Sequence, residues 1–124
     1  MTKDENLKQY DLEERTLNFA KEVIEFVRTV PRTTANAEIT KQVIRSSGSI
    51  GANYIEANES LSKKDFAMRV KICRKEAKES RYWLKLIEVG GEDTEKGRQS
   101  LINEATELMK IFGSIVEKTK ERKF

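Results

Sequence analysis

Apolar residues recur at three- and four-residue intervals in four stretches of this chain, and only short breaks separate the stretches. This spacing places the apolar side chains of each stretch on one face of an α-helix. Helices of this kind bury their apolar faces against each other, and short connections favour neighbours that run in opposite directions. The pattern therefore predicts an all-α fold, an antiparallel up-down-up-down four-helix bundle, in a single domain of residues 1–124. The predicted helices span about 11–30, 35–59, 63–88 and 96–120.

Local signals mark where these helices begin and end. Asp11 is followed three residues later by Glu14, which is the spacing of a capping box at the start of a helix. Ser62 is followed by Asp65 at the same interval and predicts the start of the third helix. Pro31 ends the first helix, because proline disfavours a helical residue before it and has no amide hydrogen to donate.

The second helix carries two glycines in its interior, Gly48 and Gly51. Each costs roughly 1 kcal/mol relative to alanine in a helix, so such residues persist mainly where another backbone comes close. Together with the two serines before them, they predict the tightest helix–helix contact of the molecule. The face predicted to point inward consists of Thr40, Val43, Ile44, Ser47, Ile50, Gly51, Tyr54 and Asn58.

Composition narrows the class of protein. The chain is 36% charged and 37% hydrophobic, which is typical of a helical globular protein with charged helix surfaces. No apolar run approaches the roughly 18 residues of a membrane span, and residues 1–10 are too polar for a signal peptide. The lone cysteine, Cys73, excludes an intramolecular disulfide and fits a reducing compartment, so we expect a cytoplasmic protein. Cys73 falls on the predicted core face of the third helix, which favours an inert buried thiol over a nucleophile.

The third helix carries the strongest charge asymmetry of the chain. Residues 63–85 hold nine of the 24 basic residues and three of the 21 acidic ones, a net charge of +6, whereas the remaining residues carry −3. Six cations share one sector of this helix with no acidic residue among them, and Tyr82 lies beside them where it could stack on a base. This basic stripe consists of Lys63, Lys71, Arg74, Lys78, Arg81 and Lys85. It predicts contact with nucleic acid or another polyanion, and the alternative is an ordinary solvated helix face.

The same helix has a second apolar face, separate from its core face. A helix in a monomeric four-helix bundle needs one buried stripe, so a second one predicts an interface between subunits. A ligand pocket lined by Trp83 and Met68 is the alternative, but aromatic residues at helical spacing lie more often in cores and interfaces. The predicted oligomer interface consists of Met68, Ile72, Trp83 and Leu86.

Polar residues line one sector of the second helix. They are Ser49, Asn53 and Glu56, with Gln42 nearby. One interpretation is a polar binding groove. The other is a set of hydrogen bonds between helices or subunits, since polar groups are costly to bury unpaired. We expect this structural role for Ser49, Asn53 and Glu56.

Three segments of the chain, in this order and spacing, resemble one known family. They are Ser49–Ala57, Ser62–Phe66 and Lys75–Leu84, and they are similar to the bacterial four-helix-bundle family named for open reading frames in intervening sequences of 23S ribosomal RNA genes. The resemblance implies an antiparallel bundle assembled into a homopentamer. It extends to the accessory variability proteins of diversity-generating retroelements, basic pentameric bundles thought to bind nucleic acid and a reverse transcriptase. The family has no established activity, so the resemblance implies a fold rather than a function.

The residue inventory argues against an enzyme. The chain contains no histidine, which removes His-based acid–base catalysis, catalytic triads and Glu-x-x-His metal sites. Gly90 and Gly91 lack the lysine and the preceding strand of a phosphate-binding loop. We therefore expect no catalytic residue, no metal and no cofactor.

Two functional hypotheses of different classes remain. The first is a non-enzymatic homo-oligomer that binds RNA or DNA by its phosphates through the basic stripe and Tyr82, with contributions from Arg32, Arg45 and the C-terminal tail. The second is an oligomeric protein-interaction scaffold without a nucleic-acid role, whose stripe docks the acidic side chains of a protein encoded nearby. A bundle that binds only further copies of itself is the third option, and no membrane partner is expected.

Overall fold

The computed structural model describes the backbone of residues 2–121 and the side chains of residues 12–120. Within that range the chain forms four α-helices and no strand: α1 (Thr2–Val27), α2 (Thr34–Asn58), α3 (Lys63–Leu86) and α4 (Glu92–Glu121). The prediction of an all-α fold with four helices is confirmed. Of the helices in this part of the chain, none combines the length and the apolar character needed to cross a membrane.

The four helices form a square in which each contacts its two neighbours. The most extensive pairs are α2 with α3 and α3 with α4, and the sparsest is α1 with α4. Across the diagonals the helix backbones of the described residues are farther apart, but side chains meet over the core: the rings of Tyr54 of α2 and Phe112 of α4 lie 5.6 Å apart between centroids. The core lies on the axis of the square, and its largest fully buried apolar side chains are Phe19, Phe112, Ile50, Leu84, Ile87 and Leu108.

The end of α1 differs from the prediction for a local reason. The helix starts at residue 2 rather than about 11, and residues 2–10 contain neither glycine nor proline. The side chain of Asp11, the predicted cap, lies outside the described residues. At the other end, the amide and the hydroxyl of Thr29 both donate to the Phe26 carbonyl, at 2.9 and 2.7 Å. These bonds tighten the last turn, so α1 stops at Val27, before the predicted end at about 30.

The starts of α3 and α4 follow capping chemistry. The Asp65 amide donates to Ser62 Oγ at 3.1 Å, which is the cap that the Ser62–Asp65 spacing predicted. α4 starts at Glu92, earlier than the predicted start at about 96. Its first turn carries three carboxylates, which favour the positive end of the helix dipole, and the Glu95 amide donates to the Gly91 carbonyl at 3.0 Å.

The two interior glycines of α2 have different surroundings. A Cβ on Gly51 would lie 2.9 Å from Thr16 Oγ1 and 3.3 Å from Thr16 Cβ, so α1 and α2 approach closely here, as predicted. A Cβ on Gly48 would meet nothing within 4 Å, and its prediction as part of that contact was wrong. Ile44 and Asn58, predicted to face inward, are both exposed. Ser46 and Ala57 are buried instead, so the inner face of α2 is rotated relative to the predicted one.

Buried polar side chains join the helices at two points. Asn36 at the start of α2 is 2% exposed, and its Nδ2 donates to the carbonyls of Pro31 and Glu88, each at 2.9 Å. Its Oδ1 accepts from the Glu88 amide, also at 2.9 Å. In mid-bundle, Ser46 Oγ and Ser80 Oγ share a hydrogen bond of 2.8 Å between α2 and α3. Both polar atoms of the Asn36 side-chain amide are therefore hydrogen-bonded to the backbone of the segments that connect the helices.

Candidate nucleic-acid interface

The basic stripe lies on the side of α3 that faces α4. Arg81 Nη1 donates to Thr106 Oγ1 of α4 at 3.4 Å. About two turns earlier on α3, the aliphatic stem of Arg74 rests on α4, because a Cβ on Gly113 of α4 would lie 3.6 Å from Arg74 Cδ. These contacts hold the stem of Arg74 and the guanidinium of Arg81 against α4, and both side chains are half-buried at the edge of the α3–α4 pair.

The stripe is accessible and is not neutralised within the subunit. Four of its lysines are exposed and its two arginines are half-buried. Among the side chains of residues 12–120, none of these six cations lies within 4.0 Å of a carboxylate, although ion pairs are frequent elsewhere on α1, α2 and α4. Tyr82 is 57% exposed beside the stripe, and its ring meets that of Trp83 edge-on at 5.1 Å between centroids. The four exposed lysines of the stripe are Lys63, Lys71, Lys78 and Lys85.

The geometry of the stripe suits an extended anion. From Lys63 to Lys85 the helix rises about 33 Å at 1.5 Å per residue. Like charges along one face repel each other, and a polyanion laid along that face relieves the repulsion and releases its own counterions. A surface of this kind attracts phosphates without reading base edges.

The other predicted basic contributors are less available. Arg45 Nη2 lies 3.5 Å from carboxylate oxygens of both Glu76 and Glu79, so it is not a free cation. Arg32 is exposed. In the C-terminal segment Lys118 is exposed and Lys120 pairs with Glu117 at 3.3 Å, whereas the side chains from residue 121 onward lie outside the described part of the chain. The stripe itself is therefore the main basic surface of the described residues.

The second apolar face of α3 is partly open. Met68 is 52% and Leu86 44% exposed, whereas Ile72 and Trp83 are half-buried. Two buried side-chain atoms near this face have no hydrogen-bond partner among the described residues, Trp83 Nε1 and Glu76 Oε1, and the latter has only the loose ion pair with Arg45. Unpaired polar atoms are costly to bury, so this face is incompletely satisfied in a single subunit.

Exposed apolar residues also occur on α1 and α2, which the sequence did not predict. They are between 40% and 52% exposed. The pattern missed Ile44 because it counted that residue on the inner face of α2, and no signal separates it from a core residue at this spacing. The four exposed apolar residues of α1 and α2 are Leu17, Ile24, Ile44 and Ile55.

The polar sector of α2 is joined to α3 at one residue. Asn53 Oδ1 accepts from Arg69 Nη1 at 3.1 Å, and its Nδ2 donates to the Ser49 carbonyl at 2.9 Å. Ser49 is half-buried, and Glu56 and Gln42 are exposed. The structure thus places Asn53 in a bond between helices, and it does not bring the four residues together as a cluster.

The one thiol of the chain is poorly placed to act as a nucleophile. Cys73 is fully buried, and its Sγ donates to the Ile50 carbonyl at 3.4 Å. Burial raises the pKa of this thiol to about 12, so the reactive thiolate is scarce at neutral pH. Among the described residues there is also no group of three or more His, Cys, Asp or Glu side chains placed to hold a metal ion.

Comparisons with known proteins agree with this architecture. The family model described as 23S rRNA-intervening sequence protein matches residues 8–114. Among solved structures, the chain is similar to a protein of unknown function from the S23 ribosomal protein family of Bacteroides thetaiotaomicron. The identity is 30% and the TM-score 0.71, over 85% of this chain and 97% of that one. No match was found among curated proteins.

Proposed function

The chain belongs to the family of 23S rRNA-intervening sequence proteins, and from that premise we propose that it is a non-enzymatic homo-oligomeric bundle that binds RNA or DNA through its basic stripe. One observation carries the proposal. Six cations occupy one sector of α3, four of them exposed, and none is paired with a carboxylate in the part of the chain whose side chains are described.

Binding through the stripe is driven by charge and shape. The cations lie along about 33 Å of one helix, and each phosphate that they neutralise releases a counterion. An oligomer repeats the stripe in every subunit, so that one strand contacts several copies. Tyr82, exposed at the edge of the stripe, offers a stacking surface to an unpaired base.

A titration over a range of salt tests this proposal. Labelled single- and double-stranded RNA and DNA are titrated with the protein by fluorescence anisotropy from 50 to 300 mM salt, concentrations on the order of those over which such affinities change steeply. We expect the affinity to weaken steeply with salt. Replacing Arg74, Lys78, Arg81 and Lys85 with glutamine is expected to reduce the slope of log affinity against log salt by roughly 3.

A matched variant controls for net charge. Arg28, Lys41, Lys96 and Lys110 are exposed, lie outside the stripe and carry the same total charge as the four replaced cations. Their replacement with glutamine lowers the net charge equally and is expected to leave most of the affinity. Salt-independent binding, or an equal loss in the two variants, would exclude the stripe as the binding surface.

We place the subunit interface on the apolar face of α3. Exposed Met68 and Leu86, with the unsatisfied Trp83 Nε1 and Glu76 Oε1, support an incomplete surface that another subunit covers. Five is the number of subunits that the family resemblance implies. The α2–α3 pairs Asn36–Glu88 and Asn53–Arg69, with Arg81–Thr106 between α3 and α4, support an antiparallel up-down-up-down order within each subunit.

Light scattering coupled to gel filtration tests the interface. Trp83→Glu and, at a more exposed position, Met68→Glu are expected to give smaller particles, because a carboxylate would be buried without a partner. Leu61→Glu, a change at a fully exposed residue of the α2–α3 connection, is the control. An unchanged mass in both interface variants would move the interface to another face.

The alternative function is an oligomeric scaffold in the cytoplasm that binds a protein encoded nearby and no nucleic acid. The exposed apolar residues of α1 and α2 favour it, because a phosphate backbone offers them no apolar partner, whereas the surface of another protein does. Co-purification that resists nuclease treatment but is lost in the stripe variant would support this alternative.

A further inference from the structure

The packing of α1 against α4 leaves an open cleft on one side of the bundle. This is the sparsest of the four helix pairs, and a cleft of about 550 Å³ lies between the last turns of α1 and the first turns of α4. Lower down the same pair, Arg15 Nε and Nη2 bond the two oxygens of Glu104 at 2.6 and 2.9 Å and hold the helices together. The cleft is therefore open at one end of the pair and closed by an ion pair towards the other.

The cleft has an apolar floor. Phe26 and Leu101 lie there, 7% and 5% exposed. Gly97 of α4 sits above the Phe26 ring, where a Cβ would be 3.5 Å from Phe26 Cδ1. A glycine in a helix interior costs roughly 1 kcal/mol relative to alanine, and here it places no side chain of its own over the edge of the ring. The floor suits an aliphatic or aromatic group from outside.

The rim of the cleft is acidic. Glu22 and Glu25 of α1 and Asp93 of α4 are exposed around the opening, with the cations Lys21 and Arg28 beside them. Glu25 pairs with Arg28 at 2.8 Å, but both side chains are about 70% exposed, so this pair exchanges readily with solvent. Glu22 and Asp93 form no ion pair within 4.0 Å with the side chains of residues 12–120.

An apolar floor beneath unpaired carboxylates fits a lysine or arginine, whose long stem is apolar and whose end is charged. Nucleic acid is repelled by this rim, whereas a basic protein segment is complementary to both of its parts. We propose that the α1–α4 cleft is a docking site for a helical segment of a partner protein that presents arginine or lysine next to leucine. The site is separate from the basic stripe and does not depend on nucleic-acid binding.

The test uses a defined probe and the full chain. The probe is a fluorescein-labelled 16-residue amphipathic peptide of leucine, alanine and arginine, and an otherwise identical peptide with glutamate in place of arginine is the negative control. We expect the arginine peptide to bind and the glutamate peptide not to bind. The double replacement of Glu22→Gln and Asp93→Gln is expected to weaken binding about tenfold.

Two further variants separate the cleft from general attraction to a protein surface. Glu56→Gln with Glu59→Gln removes two exposed carboxylates on α2 and is expected to change the affinity less than twofold. Gly97→Leu fills the cleft without altering charge and is expected to weaken binding as much as the acidic variants do. Equal losses in the two charge variants, or full binding by Gly97→Leu, would overturn the assignment. A smaller particle mass in the Glu22→Gln, Asp93→Gln variant would also overturn it, because the occupant would then be the stripe of a second copy.

Discussion

Adding one methyl group to each interior glycine of α2 should have opposite effects at two sites only three residues apart. At Gly51 the new Cβ would lie 2.9 Å from Thr16 Oγ1. That oxygen cannot turn aside freely, because it donates to the Leu12 and Glu13 carbonyls at 2.8 and 3.1 Å. Thr16 itself is 1% exposed, so relief requires α1 and α2 to move apart. At Gly48 the same methyl group meets nothing within 4 Å.

The magnitudes follow from these surroundings. Glycine to alanine in a helix interior gains roughly 1 kcal/mol at either site. Overpacking a tight contact costs about 2 kcal/mol, so Gly51→Ala should lower the free energy of unfolding by about 1 kcal/mol, while Gly48→Ala should raise it by about 1 kcal/mol. For a chain of 124 residues, 1 kcal/mol corresponds to about 4 °C in Tm. The two variants should therefore differ by about 8 °C.

Thermal unfolding followed by circular dichroism, at one protein concentration, measures this difference. The cycle is completed by Gly51→Ala in a Thr16→Ala background, where the oxygen is gone and the penalty should largely disappear. Equal stabilisation by the two alanines would refute the close approach of α1 and α2 at Gly51. A penalty that persists without the Thr16 hydroxyl would assign it to the backbone rather than to this contact.

Two further predictions concern buried groups. Asn36→Ala removes three hydrogen bonds of 2.9 Å and should cost about 2–4 kcal/mol in urea unfolding. Asn103→Ala, at an exposed residue that accepts a hydrogen bond from Gln99, should cost under about 1 kcal/mol, and similar values for both would contradict the role of Asn36. With its pKa raised to about 12, the Cys73 thiol should react with a disulfide reagent at pH 8 about a thousandfold more slowly in the folded than in the urea-unfolded chain, and equal reaction rates would refute the burial. The stability that burial of this thiol contributes should fall as the pH rises above about 9, because only the unfolded chain then loses the proton readily.

The periodicity of the sequence was sufficient to predict an all-α fold of four helices, because each helix has a continuous apolar face towards the core. The apolar spacing of the first predicted helix places Leu12, Thr16, Phe19, Val23, Phe26 and Val30 on one face, and all six are buried. The predicted core face of the third helix runs from Phe66 to Ile87, and its members are buried except Phe66, which is half-buried. It includes Ser80, whose hydroxyl shares a hydrogen bond with that of Ser46. Periodicity placed Ile44 inside, because the spacing of an apolar residue does not show whether a neighbouring helix covers it.

Predicting contacts between helices requires knowing which residues of neighbouring helices lie at the same level, and only the structure gives this. The basic stripe could be read from one helix, since its members share a sector of α3. The ion pairs of Arg45 with Glu76 and Glu79 could not be predicted in this way, because those partners lie more than thirty residues away in the sequence. The α1–α4 cleft was equally hidden, since its acidic rim comes from two helices whose separation no local pattern sets.

The Asn36 amide links the connection between α1 and α2 to the connection between α3 and α4. A second contact reinforces the link, because a Cβ on Gly90 would lie 3.3 Å from Pro31 Cγ. Two loops fastened together in this way should open as one cooperative unit in hydrogen exchange. At the opposite end of the bundle, Leu61 stands fully exposed in the α2–α3 connection. Proteolytic nicking and engineered insertions should therefore be accepted at Leu61 and resisted at the clamped end.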